Sequence, residues 1–269
     1  MIAPACTSTI YGRGIEGYRW ALRHLVFANR SHGAVITYGE GADQLGDLRV
    51  PEGPGLHPIA VLLHGGFWKR QWTRDLMDGL AVDLTAKGIA TWNIEYRRVG
   101  EGGGWPATLL DAAHGIDHVA RLEADIDLER IAIIGHSAGG HLALLARTET
   151  VAPTLLVSLA GVTDLAAAQR DGLGADAAVA FMGDADSPTA VAQASPMAML
   201  PRKIRQLIVH GTDDDTVPVA YSRRYVDSAR AAGDEVEYLE LASTGHMDLI
   251  DERTSAWSET AEQIVEVLS

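Results

Sequence analysis

A serine stands between two glycines in Gly135-His136-Ser137-Ala138-Gly139, directly after the apolar run 131–134 and before an Ala/Leu-rich stretch over 141–146. That order reads as a strand, a tight turn and a helix. Such a turn has no room for side chains beside the serine, and glycine takes the required angles at the least cost. A serine held there sits at the tip of a sheet with its hydroxyl free to attack a carbonyl carbon. A hydroxyl is a weak nucleophile, so it needs a base within hydrogen-bond reach and an acid that holds the tautomer of the base. The alternative reading of Ser137 is a plain helix cap.

Candidates for the other two groups follow in the order acid, then histidine, found in hydrolases that carry such a turn. The stretch from His210 to Pro218, His-Gly-Thr-Asp-Asp-Asp-Thr-Val-Pro, comes after a predicted strand ending at Val209. Ser243-Thr244-Gly245-His246-Met247-Asp248 comes after one ending at Leu241. Both are loops at strand C-terminal ends, where open parallel sheets place their ligands. His246 is the expected base. His210, beside a glycine at a strand end, is expected to play a structural or hydrogen-bonding part. Distance from the strand does not separate Asp213, Asp214 and Asp215 as the acid.

Acyl transfer also builds an oxyanion that needs fixed donors. His64-Gly65-Gly66-Phe67-Trp68 follows the apolar run 59–63, and its glycine pair lets the backbone approach a substrate. The expected donors are the N–H groups of Gly66, Phe67 and Ala138.

The elements that must carry these loops alternate. Strands are predicted over 35–38, 47–50, 59–63, 89–94, 131–134, 155–159, 204–209 and 236–241. Helices are predicted over 73–87, 107–122, 141–146, 219–232 and 255–268. Continuous apolar strands between helices imply an α/β fold, a mostly parallel sheet of about eight strands with helices on both faces. The whole chain, 1–269, reads as one domain. Residues 1–33 are a lead-in, with an amphipathic helix expected over 17–29. Residues 163–200 are too long for a plain crossover and are read as a small lid of short helices.

Composition narrows the function further. The chain has 269 residues, 47% of them hydrophobic, and a formal net charge of −14. Acidic surfaces repel phosphate backbones and anionic membranes, so no nucleic-acid or membrane partner is expected. No apolar run reaches the roughly 20 residues of a membrane span. The lone cysteine, Cys6, allows no internal disulfide and reads as incidental. With no secretion signal recognised, the expected location is cytoplasmic. No His/Cys cluster has zinc spacing, Asp184-Ala185-Asp186 lacks Ca²⁺-loop spacing, and Gly102–Gly104 do not join a strand to a helix. No metal or cofactor is expected. A homodimer is compatible with the sequence, which does not specify the oligomeric state.

These motifs resemble those of the α/β-hydrolase superfamily, and within it the branch of hormone-sensitive-lipase-like carboxylesterases and arylformamidases (kynurenine formamidases). The resemblance covers about residues 34–268. It is carried by Tyr38-Gly39, residues 47–51, His64–Trp68, Glu95-Tyr96-Arg97, Trp105-Pro106-Ala107, Gly135–Gly140, His210–Pro218 and Gly245-His246. It implies Asp214 as the acid, four residues after the histidine of the His-Gly loop and in register with Val217-Pro218. The aromatic and tryptophan after the glycine pair are closer to the arylformamidase pattern, and the missing third glycine weakens a lipase reading. Asp164 and the turn at Glu95–Arg97 are expected to be structural. Trp68, His136, Trp105, Phe181 and Met182 are candidate substrate contacts, with Trp72 as a further aromatic.

The expected activity is hydrolysis of a small carboxylic ester or amide through an acyl-enzyme, with Ser137, Asp214 and His246 as the triad, most simply a carboxylesterase. The alternatives are N-formylkynurenine deformylation, which needs a small acyl pocket and an aromatic leaving-group site, and acyl transfer on the same triad, which needs a dry site. A peptidase would need an added propeller or an extensive cap. A non-catalytic binding protein would lack a triad member.

Overall fold

The computed structural model describes residues 33–269; Cys6 and the helix expected over 17–29 lie outside them. Eight strands form one sheet: β1 (Ala34–Thr37), β2 (Leu45–Arg49), β3 (His57–Leu63), β4 (Ala90–Ile94), β5 (Ile126–His136), β6 (Leu155–Leu159), β7 (Arg205–Gly211) and β8 (Val236–Leu241). The spatial order is β1-β2-β4-β3-β5-β6-β7-β8. β1–β2 and β2–β4 are antiparallel and every other pairing is parallel. This is the α/β-hydrolase fold.

The central strands are apolar throughout because both of their faces are covered. Ile59, Val61, Leu63, Ile131, Ile133, Leu156 and Ile208 are all essentially without solvent exposure. The cover comes from α1 (Asp78–Ala86), α2 (Ala107–Asp117), α3 (Ala138–Leu145), α7 (Ala220–Ala231) and α8 (Ser255–Leu268), while α4 (Leu165–Arg170), α5 (Leu173–Met182) and α6 (Pro188–Gln193) lie in the segment between β6 and β7. α8 shows the amphipathic logic plainly. Ala256, Trp257, Thr260, Ala261, Ile264 and Leu268 recur every three to four residues on its buried face, as a helix packed on a sheet requires. Thr254 caps it by accepting from the Trp257 N–H.

Several elements differ from the sequence expectation. The helix expected over 73–87 begins as a 3₁₀ turn, Arg74–Met77, and only then becomes α1. Arg74 gives its N–H to Glu95 Oε2, and its carbonyl accepts from Asn93 Nδ2, so this turn serves the sheet rather than a helix. The helix expected over 107–122 ends at Asp117 and continues as a 3₁₀ turn, His118–Arg121. There the Asp117 carboxylate is engaged by the N–H groups of Glu149, Thr150 and Val151. β5 runs five residues ahead of its apolar run because Ile126 already pairs with His57 across a register shift. Asp164 caps α4 by accepting from the Ala167 N–H, a structural part.

The register fixes where the loops leave the sheet. Leu63 pairs with Gly135, His136 with Leu159, Leu159 with Val209 and Gly211 with Leu241. The exits of β3, β5, β7 and β8 therefore lie along one edge of the sheet. Among the described residues no helix is long and apolar enough to cross a membrane.

Candidate active site

Ser137 joins β5 to α3 with φ 55° and ψ −115°, a region that costs a non-glycine residue about 1–3 kcal/mol. Its neighbours hold it there. The Ser137 N–H donates to the Leu159 carbonyl at 2.8 Å, and its own carbonyl accepts from His141 N–H at 3.1 Å. Gly135 packs its Cα on the Gly139 carbonyl, and Gly139 packs on the carbonyls of Leu63 and His64. The β3 exit, the turn and the start of α3 are thus in backbone contact, and a methyl group at either glycine has no place.

The acid loop leaves β7. Asp214 Oδ1 accepts from the N–H groups of Thr216 and Val217, both at 2.8 Å, which sets the carboxylate rotamer. Its Oδ2 lies 2.7 Å from His246 Nδ1, and the side chain is fully buried. Burial alone would push this carboxyl up, but His246, His210 and the two N–H groups together hold it well below the usual carboxylate range. It is therefore charged near neutral pH. Asp213 and Asp215 are exposed and turn to Thr212 and Thr216 hydroxyls.

His246 leaves the loop after β8. With Nδ1 facing a carboxylate, its proton lies on Nδ1 and Nε2 presents a lone pair. Among the described residues neither His246 Nε2 nor Ser137 Oγ makes a hydrogen bond, and none joins the two. Such pairs are commonly long before substrate binds. The base loop is fastened to the nucleophile turn by His136, whose Nε2 lies 3.1 Å from the His246 carbonyl and whose ring packs 4.5 Å from the His246 ring. Burial, then the neighbouring His246, push His136 well below the ordinary histidine range, so it is neutral and donates from Nε2. On its other side, a Cβ at Gly65 would stand 2.8 Å from His136 Nδ1. His136 thus packs between the three loops and is 2% exposed, as is Ser137 beside it.

The loop after β3 is left-handed at three successive residues: Gly66 (φ 108°), Phe67 (φ 53°) and Trp68 (φ 57°). Two aromatic residues in this region cost roughly 1 kcal/mol each. Among the described residues the N–H groups of Gly66, Phe67 and Ala138 carry no backbone or side-chain hydrogen bond. They are available to an oxyanion. The loop is braced from below by His64, whose Nε2 meets Glu95 Oε1 at 2.7 Å and whose carbonyl accepts from the Tyr96 hydroxyl at 2.8 Å. Glu95 is buried. Desolvation pushes its carboxyl up, but His64 and Arg98 more than offset this and hold it low. The sequence marked Glu95–Arg97 as a turn; the side-chain link to His64, 31 residues away, had no local signal.

Of the other aromatic candidates, Trp68, Phe181 and Met182 are each 1% exposed. Trp68 stacks on Phe181 at 4.6 Å and meets His141 edge-on at 5.1 Å. Trp68 and Phe181 pack together against His141 of α3. Trp105 is half-buried and gives its N–H to the Phe181 carbonyl. Trp72 is half-buried with its ring over Gly66, so it is the aromatic beside the donor loop. The 163–200 segment also touches that loop: Lys69 Nζ donates to the Gly174 carbonyl at 2.9 Å, and a Cβ at Gly174 would stand 2.6 Å from the Phe67 ring. Among the described residues no group of three His, Cys, Asp or Glu side chains could hold a metal ion.

The chain is similar to known esterases. It is 29% identical to esterase LipC of Mycobacterium tuberculosis, over 86% of this chain and 63% of LipC. It spans about three-fifths of the length of the curated esterases it matches. A shorter similarity, 27% identity over 41% of this chain and 36% of the relative, joins it to kynurenine formamidase of Salmo salar. Among solved structures, esterase B of Lactobacillus rhamnosis in a tributyrin phosphonate-inhibited form matches with a TM-score of 0.80 at 14% identity, covering 94% of this chain and 92% of that one. The BD-FAE family model matches residues 47–228, more than half of the chain and all of the segment from the donor loop through the nucleophile turn to the acid loop, so the chain belongs to the BD-FAE family of α/β-hydrolases.

Proposed function

We propose that this protein is a serine carboxylesterase acting on small esters through an acyl-enzyme. The observation that carries this reading is Asp214 in hydrogen-bond contact with His246, on a loop fastened by His136 to the strained turn of Ser137. In this mechanism Ser137 Oγ attacks the ester carbonyl while His246 Nε2 takes its proton. Asp214, as a carboxylate, keeps the imidazolium proton on Nδ1. The N–H groups of Gly66, Phe67 and Ala138 receive the oxyanion. His246 then returns the proton to the leaving alcohol, and it activates the water that frees the acid and restores Ser137. The likeness to curated esterases supports the substrate class. A single cysteine fits a reducing, cytoplasmic setting.

The second reading is arylformamidase activity, favoured by the partial similarity to a kynurenine formamidase and by Trp72 beside the donor loop. A rate comparison on p-nitrophenyl acetate, butyrate and octanoate and on N-formylkynurenine decides between them, with Ser137→Ala as the blank. The expected result is ester cleavage that falls with chain length, little deformylation, and a loss of at least about a thousandfold in the blank. Dominant deformylation would install the second reading. Turnover no faster than the blank on every substrate would overturn both.

A further inference from the structure

Asp214 Oδ2 is shared by two imidazoles. His246 Nδ1 lies 2.7 Å away and His210 Nε2 lies 3.1 Å away. His210 Nε2 is also 2.9 Å from the Val217 carbonyl. A carboxylate and a carbonyl can only accept, so His210 Nε2 carries a proton. Its other ring nitrogen, Nδ1, is 2.7 Å from Ser222 Oγ on α7, and in the neutral ring that nitrogen accepts the hydroxyl proton. His210 and Ser222 are fully buried. The hydrolysis steps use neither of them.

We propose that Ser222 and His210 are positioning residues for the acid: they fix the oxygen that Asp214 turns to His246 and draw charge from that oxygen, and so set how tightly Asp214 holds the His246 imidazolium. The inference rests on the carboxylesterase reading above. The chain runs Ser222 O–H to His210 Nδ1, His210 Nε2–H to Asp214 Oδ2, and His246 Nδ1–H to the same oxygen. An oxygen that accepts from two donors is less basic toward each. The second donor also holds the carboxylate plane while His246 cycles between neutral and charged forms during turnover. Among the described residues, the other titratable groups facing this cluster are His136 from β5, which packs on His246, and Glu240 from β8, which feels His210 electrostatically. Asp248, in the base's own loop, is turned to the Gly245 N–H.

The test compares His210→Leu, His210→Gln and Ser222→Ala with wild type, reading kcat, KM and the acidic limb of kcat/KM on p-nitrophenyl acetate, with Ser137→Ala as the blank. The acidic limb reports protonation of the free base. Removing the second donor strengthens the hold of Asp214 on the imidazolium, so the limb moves to higher pH. We expect His210→Leu to lower kcat about tenfold with KM within about twofold, and to raise the limb by about half a pH unit. Ser222→Ala shifts the limb in the same direction. Glutamine can place an N–H where His210 Nε2 stands, so His210→Gln restores both. The low-field proton resonance of the His246–Asp214 hydrogen bond, read by NMR, is expected to move in the Leu and Ala variants and to return in the Gln variant. Should His210→Leu not fold, Ser222→Ala and His210→Gln carry the comparison alone. A limb and a resonance that stay at wild-type positions in the folded variants, whatever happens to kcat, overturn the inference and leave the pair as packing. Failure of the esterase reading looks different: the wild type itself would not exceed the Ser137→Ala blank.

Discussion

Asp214→Asn is expected to lower kcat by about three to four orders of magnitude with KM little changed, while Asp213→Asn and Asp215→Asn stay close to wild type. The carboxylate of Asp214 accepts on both oxygens: two backbone N–H groups on Oδ1 and two imidazoles on Oδ2. An amide has one acceptor oxygen. If that oxygen serves the N–H groups of Thr216 and Val217, the amide NH₂ faces His246 Nδ1. The imidazole must then present a lone pair at Nδ1 and carry its proton on Nε2, where it cannot accept the proton of Ser137. The volume is unchanged, so the fold should survive, and a circular-dichroism melt on the same sample checks that. Asp213 and Asp215 point to solvent and to the hydroxyls of Thr212 and Thr216, where loss of a charge is a small effect. The opposite ranking, an active Asp214→Asn beside an inactive neighbour, would remove Asp214 from the triad.

Those three adjacent carboxylates mark how far the sequence can be read. The sheet was legible because a parallel strand covered on both faces needs an unbroken apolar run, and 59–63, 131–134 and 155–159 are such runs. The loops that follow them could then be ranked by what each strand end carries. Helix starts and stops were less legible. They depend on distant groups: Arg74 is drawn to Glu95 and Asn93, and Asp117 to the 149–151 backbone. Within the candidate site, a lone pattern such as Gly-x-Ser-x-Gly encodes a local shape and so could be found. Which aspartate faces His246 depends on a turn closed by the N–H groups of Thr216 and Val217, and distance along the chain says nothing of it. The aromatic residues were the hardest. Trp68 and Phe67 are neighbours in a backbone conformation aromatic residues seldom adopt, and no periodicity indicates which of the two rings will be buried. The Ser222–His210 pair, the Glu95–His64 brace and the His136 fastening join residues 12, 31 and 110 positions apart.

The shape of the turn at Ser137 gives the largest expected effect on stability. Gly135→Ala places a methyl group on the Gly139 carbonyl, and the contact is backbone on both sides. Neither side can yield by a rotamer change. The turn must open, and it is tied at once to β3 through Gly139 and to β6 through the Ser137 N–H and the Leu159 carbonyl. The cost should be on the order of 4 kcal/mol or more, a fall of about 10 °C or more in Tm for a chain of this size. Gly53→Ala is the control. Gly53, unlike Gly135, has a left-handed φ, 117°, and a Cβ there meets nothing within 4 Å, so only the conformational cost of roughly 1–2 kcal/mol applies. Thermal melts of the two variants separate crowding from backbone strain. Whatever Gly135→Ala protein remains folded should turn over ester far more slowly than wild type, because housing the methyl group shifts the backbone of the turn that carries Ser137 and Ala138. A Gly135→Ala variant with the melting point and kcat of wild type would mean that the serine does not depend on this turn for its pose, and the mechanism would then have to locate its nucleophile by some other constraint.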